Sequence, residues 1–266
     1  MVVYARYEYP RGYQELSRHL RGTAIKIEKL LRTRIIKHTI DQLAQLTRVD
    51  FSEVIEAAKT AAVFHDIGKA LHYYQKQAYE VVKGEGKKYM SFIFHELISA
   101  NIYAKVIKIH LNQVSQYPYS KPWLANLTMQ AILLHHQGLR MITIEKLYSD
   151  IISNIIANQL SNSIQNMQSV IKDLYTSVSC KISNVLLNIL EQNINNIIPY
   201  YNQLLIQDLY RLEDTTQIEM SRIITGCLMI ADTWDAYEAM GGRARRYVQD
   251  AIVRYLKTLG LSVYDS

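Results

Sequence analysis

The chain has 266 residues, 49% of them apolar, with 10 glycines, 4 prolines and a net charge of +6. That length supports a full hydrophobic core in one large domain or two small ones, and that apolar content excludes a disordered chain. So few turn formers point to a mostly helical fold, and the modest basic excess suits a polyanionic partner as well as plain solubility.

Residues 13–34 read as a helix with apolar positions Leu16, Leu20, Ile27, Leu30 and Leu31, while Arg18, Arg21, Lys26, Lys29, Arg32 and Arg34 make its other face basic. His19 sits on the apolar side. Ser52 can cap the next helix, in which Val54, Ile55, Ala58, Ala61 and Ala62 lead into His65, with Gly68 as its C-cap. A further helix starts near Lys69 and runs through Tyr73, Tyr74 and Tyr79. After the charged loop Gly84–Lys88 comes a long helix, about Ser91 to Val114, that contains His95. Pro122 suits the first turn of a helix from Trp123 to His136, ending near Gly138.

Residues 150–206 are rich in Ile, Leu, Asn, Gln and Ser, with apolar positions at helical spacing and no candidate ligand. They read as a helical insertion or subdomain. A helix from about Ile218 to Met240 carries Asp232 and is broken by Gly241-Gly242, before a last basic helix with Arg243, Arg245, Arg246, Arg254 and Lys257. No Walker-type phosphate loop occurs. No segment has the roughly 20 uninterrupted apolar residues of a membrane span, and the N-terminus lacks the apolar core of a signal peptide. Cys180 and Cys227, outside any Cys-x-x-Cys motif, read as buried reduced thiols of a cytoplasmic protein.

Phe64-His65-Asp66-Ile67-Gly68-Lys69 is the most informative stretch. It sets an imidazole beside a carboxylate, two metal ligands from one backbone position. His19, His95, His135, His136 and Asp232 lie in other apolar helical segments. Phosphodiester hydrolysis needs an activated water and charge neutralisation, which two divalent ions about 3.5–4 Å apart supply. Asp66 is the natural bridge between two such ions, with His19, His65 and Asp232 completing one and His95, His135 and His136 the other. Imidazole-rich sites suit Mn, Fe, Co, Ni or Zn better than Mg alone.

A lone histidine on an apolar helix face is more often a hydrogen-bonded core residue, so the weight lies on the set. Adjacent helical residues point about 100° apart, so His135 and His136 share one ion only at a helix end. Lys69 can neutralise a non-bridging phosphate oxygen; the competing reading is a C-terminal lysine complementing the helix dipole. His38, His72 and His110 are left as surface or core histidines, and Asp235 and Glu238 as a solvated acidic face. Basic residues on the first and last helices, with 20 tyrosines against 4 phenylalanines, can hold and stack a strand.

The ordered set resembles the HD superfamily of metal-dependent phosphohydrolases, and more specifically the stand-alone HD nuclease of type I CRISPR systems. The resemblance rests on His19 in Leu16-Ser17-Arg18-His19-Leu20, His65-Asp66-Ile67-Gly68-Lys69-Ala70, His95, His135-His136 and Asp232-Thr233-Trp234-Asp235-Ala236, with Tyr74-Gln75 where that family often has Phe-Gln. It implies an all-α HD-domain helical bundle forming one domain over residues 1–266, with the helical stretch at about 150–206 unmatched. It further implies a nuclease acting on DNA, with RNA as a second candidate substrate, and two divalent ions (Mn, Ni, Fe, Co or Mg) bridged by Asp66. The implied partners are a separately encoded CRISPR helicase and an RNA-guided surveillance complex. Cyclic-dinucleotide phosphodiesterases share much of the pattern. They continue His-His-Glu and then Gly-Tyr-Pro, where this chain has His135-His136-Gln137 and no Gly-Tyr-Pro. Other nucleotide phosphohydrolases, and a non-catalytic HD scaffold that binds a partner, are the remaining alternatives.

Overall fold

The computed structural model describes residues 2–8, 12–85, 90–136, 160–198, 212, 214–241 and 246–262. The described residues form an all-α bundle entered through one small hairpin. Its elements are β1 (Tyr4–Glu8), β2 (Gly12–Glu15), α1 (Leu16–Leu31), α2 (Arg34–Thr47), α3 (Phe51–Phe64), a 3-10 turn (Ile67–Ala70) and α4 (His72–Val82). There follow α5 (His95–Val114), α6 (Pro122–Leu134), α7 (Leu160–Tyr175), α8 (Lys181–Ile197), α9 (Thr215–Ala239) and α10 (Arg246–Thr258).

Helix α3 is the hub, packed against α1 and α6, while α5 lies against α6 and α9 against α1 and α6. Its sequence explains this place. From Val54 to Phe64 only Glu56 is not buried, and Ala57, Ala58, Ala61 and Ala62 keep the helix thin enough for close neighbours. Its N-cap is Asp50 rather than Ser52, because Asp50 and Glu53 form a reciprocal capping box, a device worth about 1 kcal/mol. Helix α5 is also buried nearly all round, without a break from His95 to Val106 and on to Ile107.

The structure moves several expected boundaries. The helix expected over 13–34 is shorter: residues 13–15 belong to β2, and α1 ends at a corner at Arg32-Thr33, where the Thr33 hydroxyl donates to the Leu30 carbonyl at 2.7 Å; α2, which follows, was not foreseen. The helix expected from Ser91 starts at His95, because Phe94 adopts left-handed φ 66°. A bulky residue is rarely placed there, at a cost of about 1–2 kcal/mol. Pro122 opens α6 as expected, and the helix ends at Leu134; Gly138 lies outside the described residues. Helix α9 begins at Thr215, earlier than expected, because the Asp214 carboxylate accepts from the Thr216 amide at 2.6 Å. Gly241 leaves the helix at φ 64°, while Gly242, Arg243 and Arg245 are outside the described residues.

The described part of 150–206 is helical, as expected, yet it does not stand apart. Met167, Val170, Ile171 and Leu174 of α7 and Leu186, Leu187, Leu190 and Ile194 of α8 belong to the same buried core as α1, α3 and α5. Polar ties join it to α3: Lys59 donates to the Ser179 carbonyl at 2.7 Å, and the Thr60 and Ser183 hydroxyls lie 3.1 Å apart. Both cysteines are buried and unpaired by disulfide. No helix among the described residues is long and apolar enough to cross a membrane.

The N-terminal hairpin is the other unforeseen element. Gly12 permits its turn at φ 103°. Gln75 of α4 holds it: its side chain accepts from the Tyr4 amide at 2.8 Å and donates to the Tyr4 carbonyl at 2.9 Å and the Lys69 carbonyl at 2.7 Å. One buried amide thus ties the hairpin to the turn after His65-Asp66.

Candidate metal centre

The centre is built where α3 ends. The His65 amide makes the last helical bond, to Ala61 at 2.8 Å, and Asp66 leaves the helix at φ −114°, ψ 5°. The two side chains therefore diverge from the end of a fully buried helix, and both are 0% exposed. Gly68 is not the C-cap. Its amide donates to the Ser99 hydroxyl at 2.9 Å, and a Cβ there would lie 2.8 Å from the His95 carbonyl oxygen. The glycine lets the turn lie flat on the first turn of α5, which brings His95 Nε2 to 2.7 Å from Asp66 Oδ1.

Three histidines are oriented by the same local rule. Nδ1 of His65, His95 and His135 approaches the carbonyl oxygen three residues back: Ala62 at 2.7 Å, Phe92 at 2.5 Å and Ile132 at 2.6 Å. A carbonyl only accepts, so Nδ1 carries the proton and Nε2 keeps its lone pair. Nε2 of His19, His65, His95 and His135, together with Asp66 Oδ1, is buried without a well-aligned hydrogen bond. Such atoms cost free energy unless something binds them. Five converging nitrogen and oxygen donors of this kind fit a divalent transition metal.

The donors fall into two sets that share Asp66. One ligand atom from each of Asp66, His95, His135 and His136 lies within 4.8 Å of the others, and the same holds for His19, His65, Asp66 and Asp232. That is a little wider than the roughly 4.2 Å between opposite ligands on one ion with bonds of about 2.1 Å. His136 joins its neighbour because α6 stops at Leu134, and their ring centroids are 4.1 Å apart. His19 comes from α1, with Nε2 3.2 Å from Asp66 Oδ2 and 3.1 Å from Asp232 Oδ1. Lys69 bonds Asp66 Oδ2 at 2.5 Å and lies 5.0 Å from the Phe92 ring centroid. His38 is exposed and His72 half-buried; neither they nor the buried His110 join either set.

Electrostatics separate these groups. Burial opposes ionisation of Asp66, but the Lys69 ammonium beside it outweighs burial and holds the carboxyl well below its usual range. Burial likewise lowers His95, drives His65 down to about 3, and takes His136 to about 2. These imidazoles are thus neutral and ready to act as ligands near pH 7. Burial also pushes His19 down, yet the carboxylates of Asp232, Asp235 and Asp66 around it raise it to about 10. Three carboxylates around one imidazole favour a positive charge at its Nε2, whether a proton or a metal ion.

The profile of the family described as Cas3, HD domain, matches residues 5–234. The chain belongs to the Cas3 HD-domain family. No curated protein matches it significantly. As a Cas3 HD domain it is an HD-type metal-dependent hydrolase of CRISPR context, from a family that binds divalent metals. The matched span contains His19, His65, Asp66, Lys69, His95, His135, His136 and Asp232, and stops one residue short of Asp235.

Asp235 corrects the sequence reading. It is not part of a solvated acidic face: it is 5% exposed, and its carboxylate accepts from His19 Nδ1 at 2.7 Å, Gln14 Nε2 at 2.6 Å and Lys26 Nζ at 2.8 Å. Glu238 accepts from Lys26 at 2.7 Å and from the Trp234 indole at 2.8 Å. The available signal was the spacing of Asp232 and Asp235, three residues apart and therefore on one helix face. Arg6 was also missed. From β1 it reaches Asp232 Oδ1 at 3.0 Å, with its side chain 30% exposed. No motif surrounds it, and only the hairpin brings it there.

Proposed function

We propose that this Cas3 HD protein is a metal-dependent nuclease that hydrolyses phosphodiester bonds of DNA in CRISPR interference, using two divalent ions bridged by Asp66. The observation that carries the reading is the pair of four-residue donor sets sharing that one carboxylate. Bound there, two ions would activate a water and neutralise charge on the scissile phosphate. His19, His65 and Asp232 would hold one ion and His95, His135 and His136 the other.

The residues divide the remaining work. The backbone carbonyls of Ala62, Phe92 and Ile132 fix three imidazoles with Nε2 inward, so little reorganisation is needed on loading. Lys69 keeps Asp66 ionised, and an ammonium has three donors, so one bond to Asp66 leaves others for a non-bridging phosphate oxygen. The partly exposed guanidinium of Arg6 is a second cation for the phosphate, and the basic residues of the first and last helices suit a polyanionic strand. A separately encoded helicase and an RNA-guided surveillance complex are the partners this role requires.

The test loads purified protein with Mn, Ni or Mg and supplies single- and double-stranded DNA, RNA and cyclic dinucleotides. Metal-dependent DNA cleavage, lost in Asp66→Ala, is the expected result. Hydrolysis of cyclic dinucleotides with no nucleic acid cut would replace this reading by the phosphodiesterase one.

A further inference from the structure

We infer that Asp235 is a positioning residue for His19, and that it makes the His19–His65–Asp66–Asp232 set the tighter of the two metal sites. The inference rests on the two-ion reading above and adds a difference between the two sites.

His65, His95 and His135 each use a neutral carbonyl of their own chain segment to orient the ring. Nδ1 of His19 instead meets a carboxylate at 2.7 Å, supplied 216 residues away, whereas His95 Nδ1, though 3.2 Å from Glu96 Oε2, makes its 2.5 Å contact with the Phe92 carbonyl. Because a carboxylate accepts, Nδ1 of His19 donates and Nε2 is directed to Asp66 and Asp232. A carboxylate behind a ligating imidazole raises its basicity and fixes its ring, which strengthens metal binding.

The surroundings of Asp235 are built to hold it in that pose. His19, Gly22 and Lys26 lie on one face of α1, at spacings of three and then four residues. Gly22 leaves the notch between them: a Cβ there would overlap the Asp235 carboxylate. Lys26 secures one carboxylate oxygen, while Gln14 of β2 donates to the same oxygen as His19. Lys26 is itself anchored by Glu238 and lies 5.8 Å from the Trp234 ring centroid. A carboxylate held by three side-chain donors has little freedom to release the imidazole.

Mn titrated into the full chain, followed by calorimetry and by elemental analysis of bound metal, tests this. The wild type is expected to take up two ions in separable steps. Asp235→Ala should weaken the tighter step by about 10–100-fold and leave the weaker one unchanged. Asp235→Asn keeps an oxygen able to accept from Nδ1 and should fall between the two, which covers the case in which the alanine variant fails to fold. Two variants that bind both ions as tightly as wild type would overturn the positioning role alone. So would an equal weakening of both steps, the mark of a merely structural residue. A wild-type chain that binds no Mn would overturn the two-ion reading and this inference with it.

Discussion

The two halves of the centre reach similar donor sets by different means. In the His95–His135–His136 half, the two innermost rings are set by carbonyls three residues away, at the start of α5 and the end of α6. In the His19 half, the candidate ligands come from α1, the end of α3 and α9, and the orienting group Asp235 is tied to Gln14 and Lys26 as well. The first half needs helix ends placed correctly. The second needs two helices and a hairpin locked in register. A buried carboxylate without partners would cost many kcal/mol, so Asp66, which faces both halves, binds them into one unit.

The largest effect is expected from the shared residue. Asp66→Ala should lower metal-dependent cleavage about a thousandfold or more, equivalent to roughly 4 kcal/mol of transition-state stabilisation. It should also reduce the metal taken up. An active Asp66→Ala variant would place the centre elsewhere, and His38→Ala, at an exposed histidine, should be silent in the same assay.

Gly68→Ala probes how the His95 half is joined to the His65-Asp66 turn. The added methyl meets backbone, the His95 carbonyl, so the turn must lift from α5. We expect a loss of about 1–3 kcal/mol in denaturant unfolding, with activity falling at least tenfold. Unchanged stability would mean that the close approach is not required.

Arg6→Ala removes the hairpin's cation from Asp232. Cleavage should drop about tenfold, less than the loss for a fully buried donor because the side chain is partly exposed. Metal uptake should stay near wild type. A fall in metal content equal to the fall in rate would make Arg6 a structural prop of the His19 half.

The smallest effect concerns the seat of α1. Burial favours the neutral acid of Glu28, but bonds from Lys59 and Arg32 hold its carboxyl below the ordinary 4.5. A depressed folded value stabilises the protein above pH 4.5 and ceases to do so as the pH falls through the lowered value. Glu28→Gln should therefore lower the melting temperature by a few degrees at pH 7, and the gap to wild type should close under acid. A gap that persists at acid pH would assign the loss to packing instead.

Much of the centre could be read from residue order, because helix ends carry their ligands with them. His65-Asp66 follows the end of α3 and His135-His136 the end of α6, each helix stopping short of the glycine that the sequence offered as its end. Asp235 was misread because an acidic side chain near the end of a helix is normally solvated; only the notch at Gly22 and the reach of Lys26 make it internal. The hairpin escaped notice because strands of 5 and 4 residues leave almost no periodic signal. The helices of the 150–206 stretch were legible, but not that their apolar faces enter the common core.

Taken alone, the sequence determined the helical class, the order of the candidate ligands and the residue able to serve both donor sets, since these follow from apolar spacing and donor chemistry. The tertiary structure decided which nitrogen His19, His65, His95 and His135 present, how Gly68 seats the turn against His95, and why Asp235 lies behind His19. The physical reason is that ligand identity resides in single residues, whereas ligand orientation is set by a neighbour's carbonyl or carboxylate. For His19 that neighbour lies 216 residues along the chain.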